Sequence, residues 1–92
     1  MKITLGEMRL AIHQTQDCDA TNHVSSTKVT ALQGSSVVAI DVHLFQIEGH
    51  PTAFECYAWG VDVSENRIVI PTVLRTIEMS TPAQAVMSWH RP

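Results

Sequence analysis

Four residues in the middle and second half of the sequence carry the side chains needed for cysteine chemistry. They are Asp41, His43, Cys56 and Arg75. A thiolate beside an imidazolium and a guanidinium has a lowered pKa, and Asp41 could orient the histidine. Cys56 would then be a nucleophile, although no glycine-rich turn or helix N-terminus visibly supplies an oxyanion hole. A row of polar groups that satisfy one another inside a dimer interface is the favoured interpretation.

A second group contains five potential metal ligands within eleven residues. His13 and Asp17 could share a helix face at positions i and i+4, whereas the others fall in a polar connection. The spacing contains no paired CxxC and no H-E-x-x-H, so no metal site is predicted. The group comprises His13, Asp17, Cys18, Asp19 and His23.

Composition and charge narrow the functional classes. The 92 residues are 45% hydrophobic and 16% charged, which is typical of one globular domain over residues 1–92. The net charge of −3 and the scattered basic residues predict no nucleic-acid partner. Without an apolar stretch long enough for a membrane span or a signal-peptide core, the chain is predicted to be cytoplasmic, with no membrane partner. The two cysteines are expected to be reduced thiols.

Two helices are predicted, one at each end of the chain. Thr4 and Glu7 have the T-x-x-E spacing of a capping box, which predicts a helix over residues 5–16. Residues 81–84 combine a threonine cap, a proline at the first helical position and a T-x-x-Q box. A second helix should therefore run to about Trp89.

The residues between the helices show the patterns of β-strands. A polar run from Gln14 to Asn22 is expected to be a connection. The β-branched segment Thr27–Leu32 is predicted as an edge strand, with a short helix as the alternative within residues 23–33. Three longer strands are predicted over residues 36–48, 52–63 and 67–79, with turns at Glu48–Pro51 and Ser64–Asn66 and candidate bends at Gly60 and Pro71.

These elements predict an α+β fold in which an antiparallel three- to four-stranded meander carries the N-terminal and C-terminal helices on one face, as a two-layer sandwich. If the two residue numbers of each pair in the first hairpin add up to roughly 99, Val42 lies opposite Tyr57. A two-residue second turn then aligns Tyr57 with Leu74. With this register the core face comprises Val38, Ile40, Val42, Leu44, Tyr57, Trp59, Val61, Val63, Ile68, Ile70 and Leu74.

The opposite face of the predicted sheet is unusually apolar for a surface in water. A second copy of the chain, another protein or a ligand in the curve of the sheet could cover it. A homo-oligomer is favoured because two-fold dimers are the commonest assemblies. The residues expected to line this interface or ligand site are Asp41, His43, Phe45, Phe54, Cys56, Val73, Arg75 and Ile77.

The sequence therefore favours a small non-enzymatic protein-interaction module, as a homodimer or bound to another protein, over two alternatives. One alternative is a small-molecule binding protein in which Arg75 contacts an anion. The other is a cysteine-dependent enzyme at Cys56. No cofactor or metal is expected, and no motif assigns the chain to a family.

Overall fold

The computed structural model describes residues 3–33, 35–64 and 67–90. Its elements are α1 (Leu5–Gln16), β1 (Asp19–Gln33), β2 (Ser36–Glu48), β3 (Glu55–Ala58), β4 (Val61–Ser64), β5 (Arg67–Val69), β6 (Thr72–Leu74) and α2 (Pro82–His90). A four-stranded antiparallel sheet has the order β1-β2-β3-β6, and β4 pairs with β5 in a separate hairpin. The predicted α+β class, the antiparallel sheet and both terminal helices are confirmed. Neither helix has the length and apolarity of a membrane-spanning segment.

Both helices begin at the predicted caps. The Glu7 N–H donates to Thr4 Oγ1 at 3.1 Å, while the Glu7 carboxylate accepts the Thr4 N–H at 3.2 Å. Thr81 and Gln84 repeat this reciprocal pattern at 3.1 and 3.2 Å. These bonds satisfy N–H groups that have no partner within the helix, so they fix where each helix starts.

Loss of either cap should weaken folding. Thr4→Ala and Thr81→Ala each remove the side-chain acceptor, so each is expected to lower the free energy of unfolding by about 0.5–2 kcal/mol. Urea denaturation followed by circular dichroism measures this change. Thr52→Ala, at an exposed threonine that caps no helix, should stay within about 0.5 kcal/mol of the parent protein. Unchanged denaturation midpoints in both cap variants would contradict the capping roles.

β1 begins earlier than the sequence predicts. The residues from Asp19 to Asn22, expected to be a connection, already pair with the end of β2, and residues 23–33 are strand rather than helix. Two register shifts interrupt the pairing before Ser25. β1 lies at the edge of the sheet, where polar side chains remain in water, and this explains why a polar segment forms a strand.

Two of the predicted long strands are interrupted. The strand over residues 52–63 begins late, at β3, and is divided from β4 next to Gly60. The strand over residues 67–79 is divided into β5 and β6 next to Pro71, and ends with β6. Proline has no N–H for the ladder and glycine weakens a strand interior, so the two candidate bends are where the pairing stops.

A β-bulge beside the second hairpin turn changes the predicted register. Ser64 lies opposite Arg67, as a two-residue turn requires, but a register shift between Asp62 and Ser64 moves the following pairs by one residue. The turn residues 65 and 66 and the side chain of Val63, which was predicted in the core, lie outside the described residues. The bulge is therefore the reason why the observed pairing differs from the predicted pairing.

The one-residue shift reverses the faces of the last strands. Tyr57 lies opposite Val73 rather than Leu74. Accordingly Val69 and Val73 pack on the side of Tyr57, while Ile70 and Leu74 pack on the other side. The predicted assignment of Ile70 and Leu74 to the same face as Tyr57 is wrong.

The first hairpin is offset by two residues from the predicted register. Tyr57 lies opposite Leu44 instead of Val42. An even offset leaves each side chain on its predicted face, because side chains alternate with a period of two. The even-numbered residues of β2 therefore remain on the predicted core face.

Two hydrophobic clusters occupy opposite faces of the sheet. Along β2 the buried positions are even-numbered as far as Leu44 and then change to Phe45 and Ile47. α2 packs on the first face and α1 on the second, so the prediction that both helices share one face is wrong. Each apolar face requires its own cover. Cluster 1 comprises Val29, Ile40, Val42, Leu44, Tyr57, Trp59, Val61, Ala85 and Val86, and cluster 2 comprises Met8, Ile12, Cys18, Phe45, Ile47, Ala53, Cys56 and Ala58.

Candidate functional site at the open edge of the sheet

Cys56 lies in the interior of the protein. It sits opposite Phe45 and Leu74 and is fully buried in cluster 2. Burial raises the pKa of the Cys56 thiol to about 12, and the neighbouring Cys18 adds to the rise. The thiol donates to the Tyr57 carbonyl at 3.5 Å. Cys56 is therefore protonated at neutral pH, whereas a nucleophile needs a lowered pKa.

Arg75 does not approach Cys56. The backbone N–H of Arg75 donates to the backbone carbonyl of Glu55, and its side-chain Nη1 lies 2.8 Å from Glu55 Oε1 in an ion pair. The alternation of β6 places Arg75 on the side of Val73, away from the buried Phe45. An open hollow of about 660 Å³ adjoins the arginine. The side chains predicted to line a ligand pocket thus lie on two faces of the sheet. Arg75, which was predicted to contact an anion, is already paired with the Glu55 carboxylate.

Asp41 and His43 lie on the accessible part of the second face. His43 Nδ1 is 3.0 Å from His23 Nε2 on β1, and the ring centroids are 5.1 Å apart. Asp41 lies 3.9 Å from Lys28 Nζ. His43 is half-buried; burial, followed by the nearby His23, lowers its pKa. The partner of His43 is therefore a second histidine and not Cys56.

The predicted interface residues divide into buried and exposed sets. Phe45 is fully buried under α1, and Val73 is half-buried. Phe54 and Ile77 are 82% and 97% exposed, in the loops that flank β3 and β6. α1 thus covers the centre of the predicted apolar face, and the exposed apolar side chains remain at its periphery.

The N-terminal group of potential ligands has structural contacts. His13 Nδ1 lies 3.1 Å from Asp19 Oδ1 at the surface, and Cys18 is buried in cluster 2. Asp17 ends α1 in a left-handed conformation with φ of 54°. Across residues 3–33, 35–64 and 67–90, no three His, Cys, Asp or Glu side chains form a group that could hold a metal ion.

β1 forms an open edge of the sheet. It has 15 residues, and in the described structure it pairs only with β2. Because the two register shifts lie before Ser25, the segment Ser25–Gln33 is regularly paired. On the outer side of such a strand, every second residue presents its N–H and C=O groups to solvent. We call Ser25–Gln33 the open edge; it is a template for another strand.

Helix α2 flanks the open edge on the first face. Ala85 and Val86 belong to cluster 1 together with Val29 of β1, and α2 packs against β1. Met87, the next residue of α2, is 72% exposed. The helix that packs on the edge strand therefore also carries an exposed apolar side chain.

The contact of His23 with His43 and the full extent of the edge strand were not predicted from the sequence. The polar residues before Thr27 have the composition of a loop, so their composition does not reveal that they form a strand. The signal that could have found it is the length of β2, which has 13 residues and follows a short turn. A strand of that length after a tight hairpin turn needs a partner of similar length on its N-terminal side.

Comparisons with known proteins did not identify a protein similar to this chain. No protein-family model matches the sequence, and no curated protein or solved structure matches it either.

Proposed function

We propose that this chain is a non-enzymatic protein-interaction module that forms a homodimer through the open edge of β1. The observation that carries the proposal is a long strand whose outer side has no partner strand in the described structure. Proteins that avoid such pairing shorten, bend or charge their edge strands. The second face, which the sequence favoured as the interface, is largely occupied by α1.

The composition of the open edge favours pairing. Ser25–Gln33 contains neither proline nor glycine, and its single charged residue, Lys28, faces Asp41 of the same chain. Threonine, serine and valine fill most of the segment, and β-branched residues suit an extended strand. These nine residues therefore have few of the features that keep natural edge strands from pairing with another chain.

A second copy of the chain is the occupant that fits best. A two-fold axis perpendicular to the sheet pairs two copies of β1 antiparallel and joins two four-stranded sheets into one of eight strands. Both α2 helices then lie on the same face of the joined sheet, each packed against the β1 strand of its own chain. A chain of this size gains buried surface that its own core cannot supply.

The proposal places the protein in the cytoplasm. Cys18 and Cys56 are free thiols buried in cluster 2, as is usual in a reducing compartment. Addition of a strand from a different protein to the same edge is the alternative mode of interaction.

A charge placed on the open edge tests the proposal. Thr30→Lys adds a lysine at an exposed position of β1, where lysine opposes strand pairing. Light scattering of the parent protein should give the mass of a dimer, and the variant should dissociate with a Kd raised at least about tenfold. Ala39→Lys is the matched control, because Ala39 is exposed and lies opposite Thr30, one strand further in.

The outcomes separate the surfaces. A dimer weakened by Thr30→Lys and unaffected by Ala39→Lys supports the edge. Equal weakening by both variants would assign the interface to the second face. A parent protein that stays monomeric up to about 1 mM would exclude a homodimer of useful affinity and leave strand addition by a different protein.

A further inference from the structure

We propose that the His23–His43 pair is a pH-sensitive lock on the bulged half of β1, closed at neutral pH and released by acid. The two imidazoles come from neighbouring strands, with His23 Nε2 and His43 Nδ1 3.0 Å apart. The inference concerns Asp19–Ser25, the part of β1 before the regular open edge.

The pair lies where the backbone ladder is weakest. A register shift between His23 and Ser25 interrupts the pairing of β1 with β2. The ring of His23 also meets the ring of the buried Phe45 edge-on, at 5.3 Å between centroids. A bulge leaves some backbone groups out of the ladder, so side-chain contacts contribute more to holding this part of β1 on the sheet than they do along the regular strand.

The chemistry of the contact sets its proton dependence. In a hydrogen bond between two imidazoles, one ring donates an N–H and the other accepts with a lone pair. The pair can hold one extra proton, because the cationic ring still donates to the neutral ring. A second proton removes the acceptor and places two positive charges side by side, which breaks the contact.

Other charged groups near His43 do not remove this effect. Asp41 on β2 favours the cation but faces Lys28 on β1. Asp62 of β4 lines the same cleft of about 350 Å³, and Met8 of α1 adds an apolar side chain there. Burial and the nearby His23 outweigh Asp41, so the pKa of His43 is lowered from its usual value.

The sign of the pH effect follows from this direction. The closed state favours neutral His43, so the contribution of the lock is complete above the ordinary histidine pKa of about 6.5. It is lost as the pH falls through the lowered pKa of His43 in the folded protein. If the open state titrates as free histidine, the equilibrium constant for opening rises by up to about 30-fold at pH 5.

Amide hydrogen exchange detects the release. Exchange of the amides of Asn22–Ser26 is measured by NMR at about pH 7.5 and about pH 5 and corrected for the intrinsic rate. Protection should fall in acid, by no more than the upper bound of about 30-fold, while the amides of α2 keep theirs. Titration of the imidazole resonances should give His43 a midpoint below the ordinary value.

His23→Gln provides the matched variant. Glutamine can donate to neutral His43 or accept from its cation, so the contact persists in both states and the pH dependence should be clearly smaller than in the wild-type protein. His13→Gln removes an exposed imidazole on α1 and should leave the wild-type response intact. Unchanged protection in the wild-type protein, or an equal loss in His23→Gln, would overturn the lock. A His43 midpoint at or above the ordinary value would also overturn it.

Discussion

Trp59→Ala should lower the free energy of unfolding by about 3–5 kcal/mol, because truncation of a buried tryptophan leaves a cavity that neighbours fill poorly. Trp59 is fully buried in cluster 1. Its ring meets that of Trp89 on α2 at 6.3 Å between centroids, with the planes at 88°. This edge-to-face contact joins the sheet to the C-terminal helix, so urea denaturation should show a large loss of stability.

Two further variants define what is lost at this position. Trp59→Phe keeps an aromatic ring and removes the buried Nε1–H, which has no hydrogen-bond partner in the described structure, so it should cost less than alanine. Ile77→Ala, at an almost fully exposed side chain, should change stability by less than about 0.5 kcal/mol. A cost of less than about 1 kcal/mol for Trp59→Ala would show that cluster 1 is not a packed core.

Ile12→Ala should destabilise the protein by about 2–5 kcal/mol. Ile12 is fully buried in cluster 2, where α1 covers the second face over Phe45 and Cys56. Truncation removes the central apolar contact of the helix with the sheet. The same denaturation experiment measures the effect.

Leu10 supplies the control on the same helix. Its side chain is 55% exposed, so Leu10→Ala should cost well under half as much as Ile12→Ala. Equal losses at the two positions would mean that α1 does not lie on the second face in the way described. The comparison therefore tests the correction that separates the two helices.

Local signals in the sequence predicted the helices and β2 well. The start of α1 depends on the reciprocal contacts between Thr4 and Glu7, and such short-range rules can be read without tertiary structure. The breaks near Gly60 and Pro71 were also visible, because each residue acts on its own backbone. Elements set by nearest neighbours are the part of this fold that the sequence reveals.

The faces of the last strands could not be predicted, since they depend on a bulge with no sequence signature. One extra residue near Asp62 was enough to reverse the faces of the strand residues that follow it, up to Leu74. This reversal separated Arg75 from Cys56 and moved Leu74 into cluster 2. The predicted cysteine site depended on that register and is not assembled.

The candidate site could be predicted only in part. Asp41 and His43 were correctly placed on one face of β2, because alternation along a single strand does not depend on its partners. The contact with His23 depends on two register shifts in β1, and the cover over Phe45 depends on the position of α1. Both are tertiary choices between alternatives that a single sequence leaves open.

The division of the core between two faces also affects the order in which the residues of the two clusters are synthesised. Cluster 2 and its surrounding apolar residues extend from Ile3 to Leu74, so the ribosome delivers all of them before α2. Cluster 1 joins Val29 to Val86 and must wait for the last helix. Until then, Trp59 and its neighbours lack their cover, and closing this long loop carries an entropic cost. Without α2 the cluster 1 face of the sheet would be exposed, and apolar surface exposed in this way promotes aggregation.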